Sequence, residues 1–184
     1  MCVAMCGAED VMPGQLSEVV KSACAGSREV RGDNYGKLEG YWYTEIGPLN
    51  QVLHLWSYPD LNERSRLRAE LAKNPRWTAE YTPLISPLLL RQDVRLLNVV
   101  RAPVAPASPG NVYEFRNYRA RTGGAVRQWL EAFTAVLPAR EKYSKITGLW
   151  HTEAAQPKEV CAIWAYPDLN ARAEARGNAL KDPA

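Results

Sequence analysis

Apolar and polar positions alternate with two different periods along this chain, and the switches between them mark its elements. Residues 113–120 (Tyr-Glu-Phe-Arg-Asn-Tyr-Arg-Ala) alternate aromatic with polar side chains, the period of a half-buried strand. Thr122-Gly123-Gly124 interrupts that strand. Val126, Trp129, Leu130, Phe133 and Leu137 then recur at helical spacing and predict a helix ending before Pro138. Residues 145–153 and 158–166 read as two strands joined around Gln156-Pro157, followed by a helix from about Leu169.

The same series stands earlier in the chain. Trp56-Ser57-Tyr58-Pro59-Asp60-Leu61-Asn62-Glu63-Arg64 returns 108 residues on as Trp164-Ala165-Tyr166-Pro167-Asp168-Leu169-Asn170-Ala171-Arg172. That offset also pairs Tyr35 with Tyr143, Gly40 with Gly148, Trp42 with Trp150 and Arg68 with Arg176. A period of this length is a small domain written twice, not a solenoid repeat. The first copy continues through Pro75-Arg76-Trp77 and 81–87 into a strand-like run from Leu88 to Val100. Its plan is therefore β-α-β-β-α-β, the ferredoxin-like order. The domains are expected at 1–100 and 112–184, joined by a Pro-rich linker over 101–111. The second copy stops where the partner of Trp77 should stand, so its last strand is missing and the 113–120 strand keeps an open edge. We read this as truncation, with a strand supplied from elsewhere as the alternative. The fold class is α+β: tandem ferredoxin-like repeats forming a pseudo-dimer.

Composition narrows the function classes. Hydrophobic residues make up 46% and charged residues 23%, the mix of an ordinary globular chain. A formal net charge of +3 is too slight to announce a nucleic-acid partner. No apolar run reaches the roughly 18 residues of a membrane span. Residues 1–10 show neither a secretory pattern nor an Arg-rich transit pattern, which places the chain as it stands in the cytoplasm, or in the mitochondrion given an upstream targeting segment. The four cysteines, Cys2, Cys6, Cys24 and Cys161, fit no zinc spacing. On one strand Cys2 and Cys6 would lie about 13 Å apart, beyond disulfide reach. We expect reduced, structural thiols, no metal and no cofactor.

The Tyr-Pro-Asp-Leu-Asn segments read as helix starts. Asp60 and Asp168 are placed to cap, and Glu63 is placed to complete a capping box in the first copy. Arg64 with Arg68, and Arg172 with Arg176, lie four apart on one helix face, which suits salt bridges to nearby carboxylates, with an anion site as the sharper reading. Symmetric pairing about Gly47-Pro48-Leu49-Asn50 sets Tyr43 opposite His54 and Tyr41 opposite Trp56. The same arithmetic sets His151 opposite Ala162 and Leu149 opposite Trp164. Leu53, Leu55, Cys161 and Ile163 would then pack under the helices, and the aromatic face would point away from them. Tyr43, His54, Trp56, His151 and Trp164 are thus the candidate binding residues, lining one shared interior. A histidine there can exchange protons near neutrality. With no carboxylate at a fixed short spacing and no nucleophile signature, no catalytic residue is assigned, and the reading leans away from an enzyme.

The hairpin–helix block carries a resemblance. Gly40-Tyr41-Trp42, Thr44 to Val52, His54-Leu55-Trp56-Ser57-Tyr58, Asp60 to Arg68, Asn74-Pro75-Arg76-Trp77 and Val112 to Tyr118 resemble the NIPSNAP family of the dimeric α/β-barrel class. The resemblance implies two ferredoxin-like halves forming one barrel, open to homo-oligomer formation. It also implies a non-catalytic adaptor role with protein partners, of the vesicular-trafficking or mitochondrial quality-control type. The alternative is a small-ligand binder or cofactor-independent monooxygenase or isomerase using an interior His/aromatic pocket. A cavity of a few hundred Å³ beside the histidines would favour the alternative.

Overall fold

The computed structural model describes residues 3–104, 110–121, 124–154 and 156–182. Cys2, most of the expected linker (105–109) and the break at Thr122-Gly123 lie outside them. The chain divides into two compact units, Met1–Leu97 and Asn98–Ala184.

Unit 1 begins with β1 (Val3–Val11). α1 (Leu16–Ser22) follows, extended by a π-helical stretch over Ala23–Ser27 and by α2 (Arg28–Val30). The hairpin of β2 (Lys37–Tyr43) and β3 (Gln51–Tyr58) leads into α3 (Leu61–Leu71). Short turns including α4 (Thr82–Ile85) then deliver β4 (Leu89–Arg101), whose last four residues belong to unit 2. The strand order β2-β3-β1-β4 is that of a ferredoxin-like sheet.

Unit 2 repeats the series with β5 (Val112–Arg119), α5 (Ala125–Arg140), β6 (Ile146–Ala154), β7 (Glu159–Tyr166) and α6 (Leu169–Lys181). Its own strands run β6-β7-β5, and among the described residues no fourth strand follows α6. The duplication extends to small contacts: Asn74 donates to the Tyr35 hydroxyl at 3.3 Å, and the Tyr143 hydroxyl donates to Asp182, 108 residues beyond Asn74, at 2.9 Å.

The helix starts follow local chemistry. Asp60 and Asp168 share an extended backbone (φ −158°, ψ 179°) and accept from the N–H of Glu63 at 2.8 Å and of Ala171 at 2.7 Å. Each satisfies one N–H that the first turn leaves without a carbonyl. The Glu63 carboxylate does not complete a capping box; Arg66 holds it at 2.8 and 2.5 Å. α5 runs through Pro138 to Arg140 instead of ending before it, because a proline in the last turn forfeits a single backbone bond while Glu141 N–H still reaches the Leu137 carbonyl at 2.9 Å.

Two expectations about the hairpins are corrected. Tyr41, not Tyr43, stands opposite His54, and Tyr43 stands opposite Val52. His151 stands opposite Val160 and Leu149 opposite Ala162. The pairing slips by two residues because the first loop is longer than a tight turn: Thr44 N–H meets the Gln51 carbonyl at 3.0 Å, and Gln51 N–H meets the Thr44 hydroxyl at 3.2 Å. A bulge between Leu38 and Gly40, repeated between Ile146 and Gly148, shifts the register again.

The second correction concerns the faces. Trp164, Ala162 and Leu149 pack with Leu137 of α5 and Ala175 of α6. Val52 and Tyr41 pack with Val19 of α1, and Trp56 with Leu67 of α3. The aromatic face therefore lies under the helices and does not point away from them. Leu55, Cys161 and Ile163 are nonetheless buried on the opposite face, at 2%, 0% and 4% exposure. With both faces of a central strand buried, aliphatic character does not tell which side the helices cover.

Candidate functional site

His151 projects from β6 into a cleft within unit 2. Val126, Leu130 and Thr134 recur every fourth residue along α5 and form one wall; Val100, Pro157 and Lys158 contribute to the rest. The cleft measures about 610 Å³, within the range of small-molecule sites. Its floor is fixed by the hairpin turn. The Thr152 hydroxyl donates to the Gln156 carbonyl at 2.7 Å and accepts from Glu159 N–H at 3.0 Å, holding Gln156 and Lys158 in left-handed backbone (φ 67° and 73°). Trp164 is on the same helix-facing side but does not line the cleft. It is 1% exposed, its ring edge-on to Phe133 at 6.3 Å.

In unit 1, His54 meets a carboxylate that sequence spacing did not reveal. β1 pairs with β3 so that Gly7 faces His54 and Glu9 faces Val52. The imidazole leans diagonally, bringing Nε2 to 3.3 Å from Glu9 Oε1, and Gln92 donates to the same oxygen. A Cβ at position 7 would sit 2.1 Å from the imidazole carbon, so glycine is what admits the ring there. Tyr41 stacks at 6.3 Å. Burial pushes the Glu9 carboxyl up, but hydrogen bonds from His54 and Gln92 and the imidazole's charge bring it below its ordinary value. His54 Nδ1 is buried with no hydrogen-bond partner among the described residues.

The remaining candidates separate. Trp56 lies beneath Arg31, whose guanidinium carbon is 3.3 Å from the ring centroid. Tyr43 is 57% exposed and joins neither histidine. Glu9 and Gln92 were the missed residues. They stand 45 and 38 positions from His54, and only strand pairing brings them together; the one available signal was a charged residue on the apolar-patterned segment 3–11. Arg172 does form the expected salt bridge, to Glu114, with Arg176 at 3.7 Å from the same carboxylate. Among the described residues no group of three His, Cys, Asp or Glu side chains is placed to hold a metal, and no helix is long and apolar enough to cross a membrane. Cys6 is a buried free thiol and Cys24 an exposed one, and Cys161 is buried.

Comparison with known proteins places this architecture. Human NipSnap homolog 3A is 28% identical over 153 residues, covering 81% of this chain and 62% of that protein. NipSnap homolog 1 of Danio rerio is 29% identical over 175 residues, covering 91% and 61%. The chain thus spans about three fifths of the length of these curated relatives. A solved NIPSNAP-like domain protein from Burkholderia xenovorans matches at 36% identity with a TM-score of 0.52, over 57% of this chain and 91% of that one. A nominal monooxygenase from Fusobacterium nucleatum shares the fold alone, with a TM-score of 0.70 at 10% identity over 96% of this chain and 80% of that one. The NIPSNAP family model matches residues 10–103 and 113–184, and with those two stretches spanning both repeats, the chain belongs to the NIPSNAP family.

Proposed function

We propose that this chain binds a small, mainly apolar organic molecule in the His151 cleft. The cleft itself carries the reading: about 610 Å³, walled by Val126, Leu130, Pro157 and Val100, with one imidazole able to donate or accept a hydrogen bond. Apolar walls supply affinity by removing surface from water, and a single polar group sets orientation. Arg127 and Glu131, an i,i+4 pair at 3.8 Å, and Lys158 add charge to the lining and favour a ligand with a polar tail. Ligand-observed NMR with a set of neutral aromatic and aliphatic alcohols and amides tests it. Saturable binding that weakens at least tenfold in both His151→Ala and Leu130→Gln is the expected result. Binding unchanged in both variants would end this reading.

An exposed apolar surface favours a second role, protein contact of the adaptor kind. Tyr43 at the end of β2 and Ile46 and Leu49 in the loop that follows are 57%, 72% and 62% exposed, apolar surface that a partner would bury. Replacing Ile46 and Leu49 by Glu should abolish capture of whatever partner the unaltered chain retains, and leave ligand binding at His151 intact.

A further inference from the structure

β5 ends the strand order of unit 2, and among the described residues it pairs with β7 alone. The equivalent strand of unit 1, β1, is flanked on both sides, by β3 and β4. Which residues of β5 face the open side follows from two bonds at the strand ends. Ala120 N–H reaches the Lys158 carbonyl at 2.8 Å, which continues the β5–β7 ladder one pair past Arg119 and Glu159. On the other side of β7, Ala165 N–H reaches the Lys145 carbonyl at 3.3 Å, so the odd-numbered residues of β7 turn their backbone toward β6. Hydrogen-bonded and non-bonded pairs alternate along an antiparallel ladder. Glu114, Arg116 and Tyr118 therefore bond to β7, while Phe115 and Asn117 direct N–H and carbonyl away from it.

A bare edge can pair with another strand, and proteins usually block it with a bulge, a proline or a lysine. β5 has none of these. Its pairing with β7 runs from Val112 to Arg119 without a register shift, and its sequence holds neither proline nor lysine. Arg119 is drawn back onto Glu159 of β7 at 2.9 Å. β2, which ends the strand order of unit 1, is by contrast bulged between Leu38 and Gly40 and begins with Lys37. The helix-facing side of β5 is settled within unit 2. Arg172 and, at 2.5 Å, Arg116 donate to Glu114, and Arg140 and Arg116 lie 4.7 and 5.9 Å from the centroid of the Trp164 ring. Glu114 and Arg116 still keep 17% and 20% exposure, so neither is closed off from a strand arriving beside β5.

We infer that the β5 edge binds the β5 edge of a second copy of this chain, antiparallel, with the two-fold axis at Phe115. The charges on the strand select both the occupant and the register. Outward-facing residues must meet outward-facing residues, so the axis passes through a residue and not between two. An axis at Glu114 sets two carboxylates face to face, and one at Arg116 sets two guanidinium groups face to face. An axis at Asn117 leaves Glu114 opposite Ala120. An axis at Phe115 sets Glu114 of each copy opposite Arg116 of the other, in the non-bonded pairs where side chains stand closest. It also sets the two Phe115 rings against each other, and the interface is self-complementary as a two-fold contact requires. This pairing is independent of whether the His151 cleft takes a ligand.

Sedimentation equilibrium of the whole chain from about 1 to about 100 μM tests the pairing, and a dimer that dissociates on dilution within that range is expected. Asn117→Pro removes an outward N–H at an exposed edge position whose backbone β7 does not use. It should weaken the dimer about tenfold or more with circular dichroism unchanged. Mild oxidation in a Cys2→Ser, Cys24→Ser chain reads the register. Phe115→Cys should cross-link, since its facing Cα atoms would lie about 5.5 Å apart. Asn117→Cys should not, since its two copies would stand about 13 Å apart along the strand. The cross-link carries the test if Asn117→Pro does not fold. A monomer at every concentration, a dimer unchanged in Asn117→Pro, or Phe115→Cys cross-linking no more than Asn117→Cys would overturn the pairing.

Discussion

Around Tyr166, arginines from β5 and α6 converge on Glu114 in the same unit; around Tyr58, Arg31 lies over the Trp56 ring and donates to the Tyr58 hydroxyl, and Met5 is the strand residue paired opposite Trp56. The helix and central-strand parts of the two arrangements are alike because they come from the strongly repeated segments, 56–68 and 164–176. The first strand of each unit differs, with Glu114 paired opposite Trp164 and Met5 paired opposite Trp56. A change on one strand can thus supply or withhold a carboxylate while the Trp, Tyr and Arg residues stay in place. In unit 2 the anion belongs to the fold and contributes stability. In unit 1 the buried Arg31 guanidinium is met by the Trp56 ring and the Tyr58 hydroxyl, with no carboxylate on it among the described residues.

The comparison can be broken at several points. The largest effect is expected from the ring under each arginine. Trp164→Ala should cost about 4 kcal/mol in urea unfolding, because the ring sits in a packed aromatic series with Phe133 and Trp129. Trp56→Ala should cost about 3 kcal/mol, its ring being 7% exposed and its buried cluster smaller. Next comes the carboxylate. Glu114→Gln should destabilise unit 2 by about 2 kcal/mol, below the cost for a fully buried pair because the group is partly open to water.

The same residue has a pH signature. Burial pushes the Glu114 carboxyl up, but hydrogen bonds from Arg172 and Arg116 outweigh this and bring its pKa to about 2 from 4.5. A depressed folded-state value means that its stabilisation is complete above about pH 4.5 and is lost as the pH falls through about 2. Acid titration of the melting temperature should therefore flatten over that window in Glu114→Gln.

A smaller effect should separate the two arginines. Arg140→Met is expected to cost about 1.5 kcal/mol by removing its bonds to Ser144 at 2.8 Å and to Tyr166. Arg31→Met should lie within about 1 kcal/mol of the unaltered chain, since losing the Tyr58 bond is offset by relieving a buried charge. Equal losses for the two would refute the contrast. The helix caps should show no contrast: Asp60→Ala and Asp168→Ala should each cost about 1 kcal/mol, their geometries being the same.

Much of this was legible before any coordinates. The 108-residue offset, the Asp caps and the strand-helix order depend on neighbours within a few positions, and local rules read them. The orientation of the central strands was not legible. Leu55 and Trp56, or Cys161 and Trp164, are all buried, and alternation separates two faces without saying which one the helices cover. The hairpin register was missed because loop length, Thr44 side-chain bonding and a bulge each move it, and none has a strong sequence signal. The His54–Glu9 contact was missed for a different reason, since it joins residues whose separation is set by strand pairing.

The sequence by itself determined that one sheet-and-helix module is written twice and where its helices begin, because each of these rests on residue identity or short-range spacing. Tertiary structure alone decided which strand residues lie together: Glu9 against His54, Glu114 amid its arginines, Met5 in the matching place of unit 1, and His151 in a cleft beneath α5. Those neighbours are fixed by register and by which face is covered, and both are settled only when the strands pair and the helices pack.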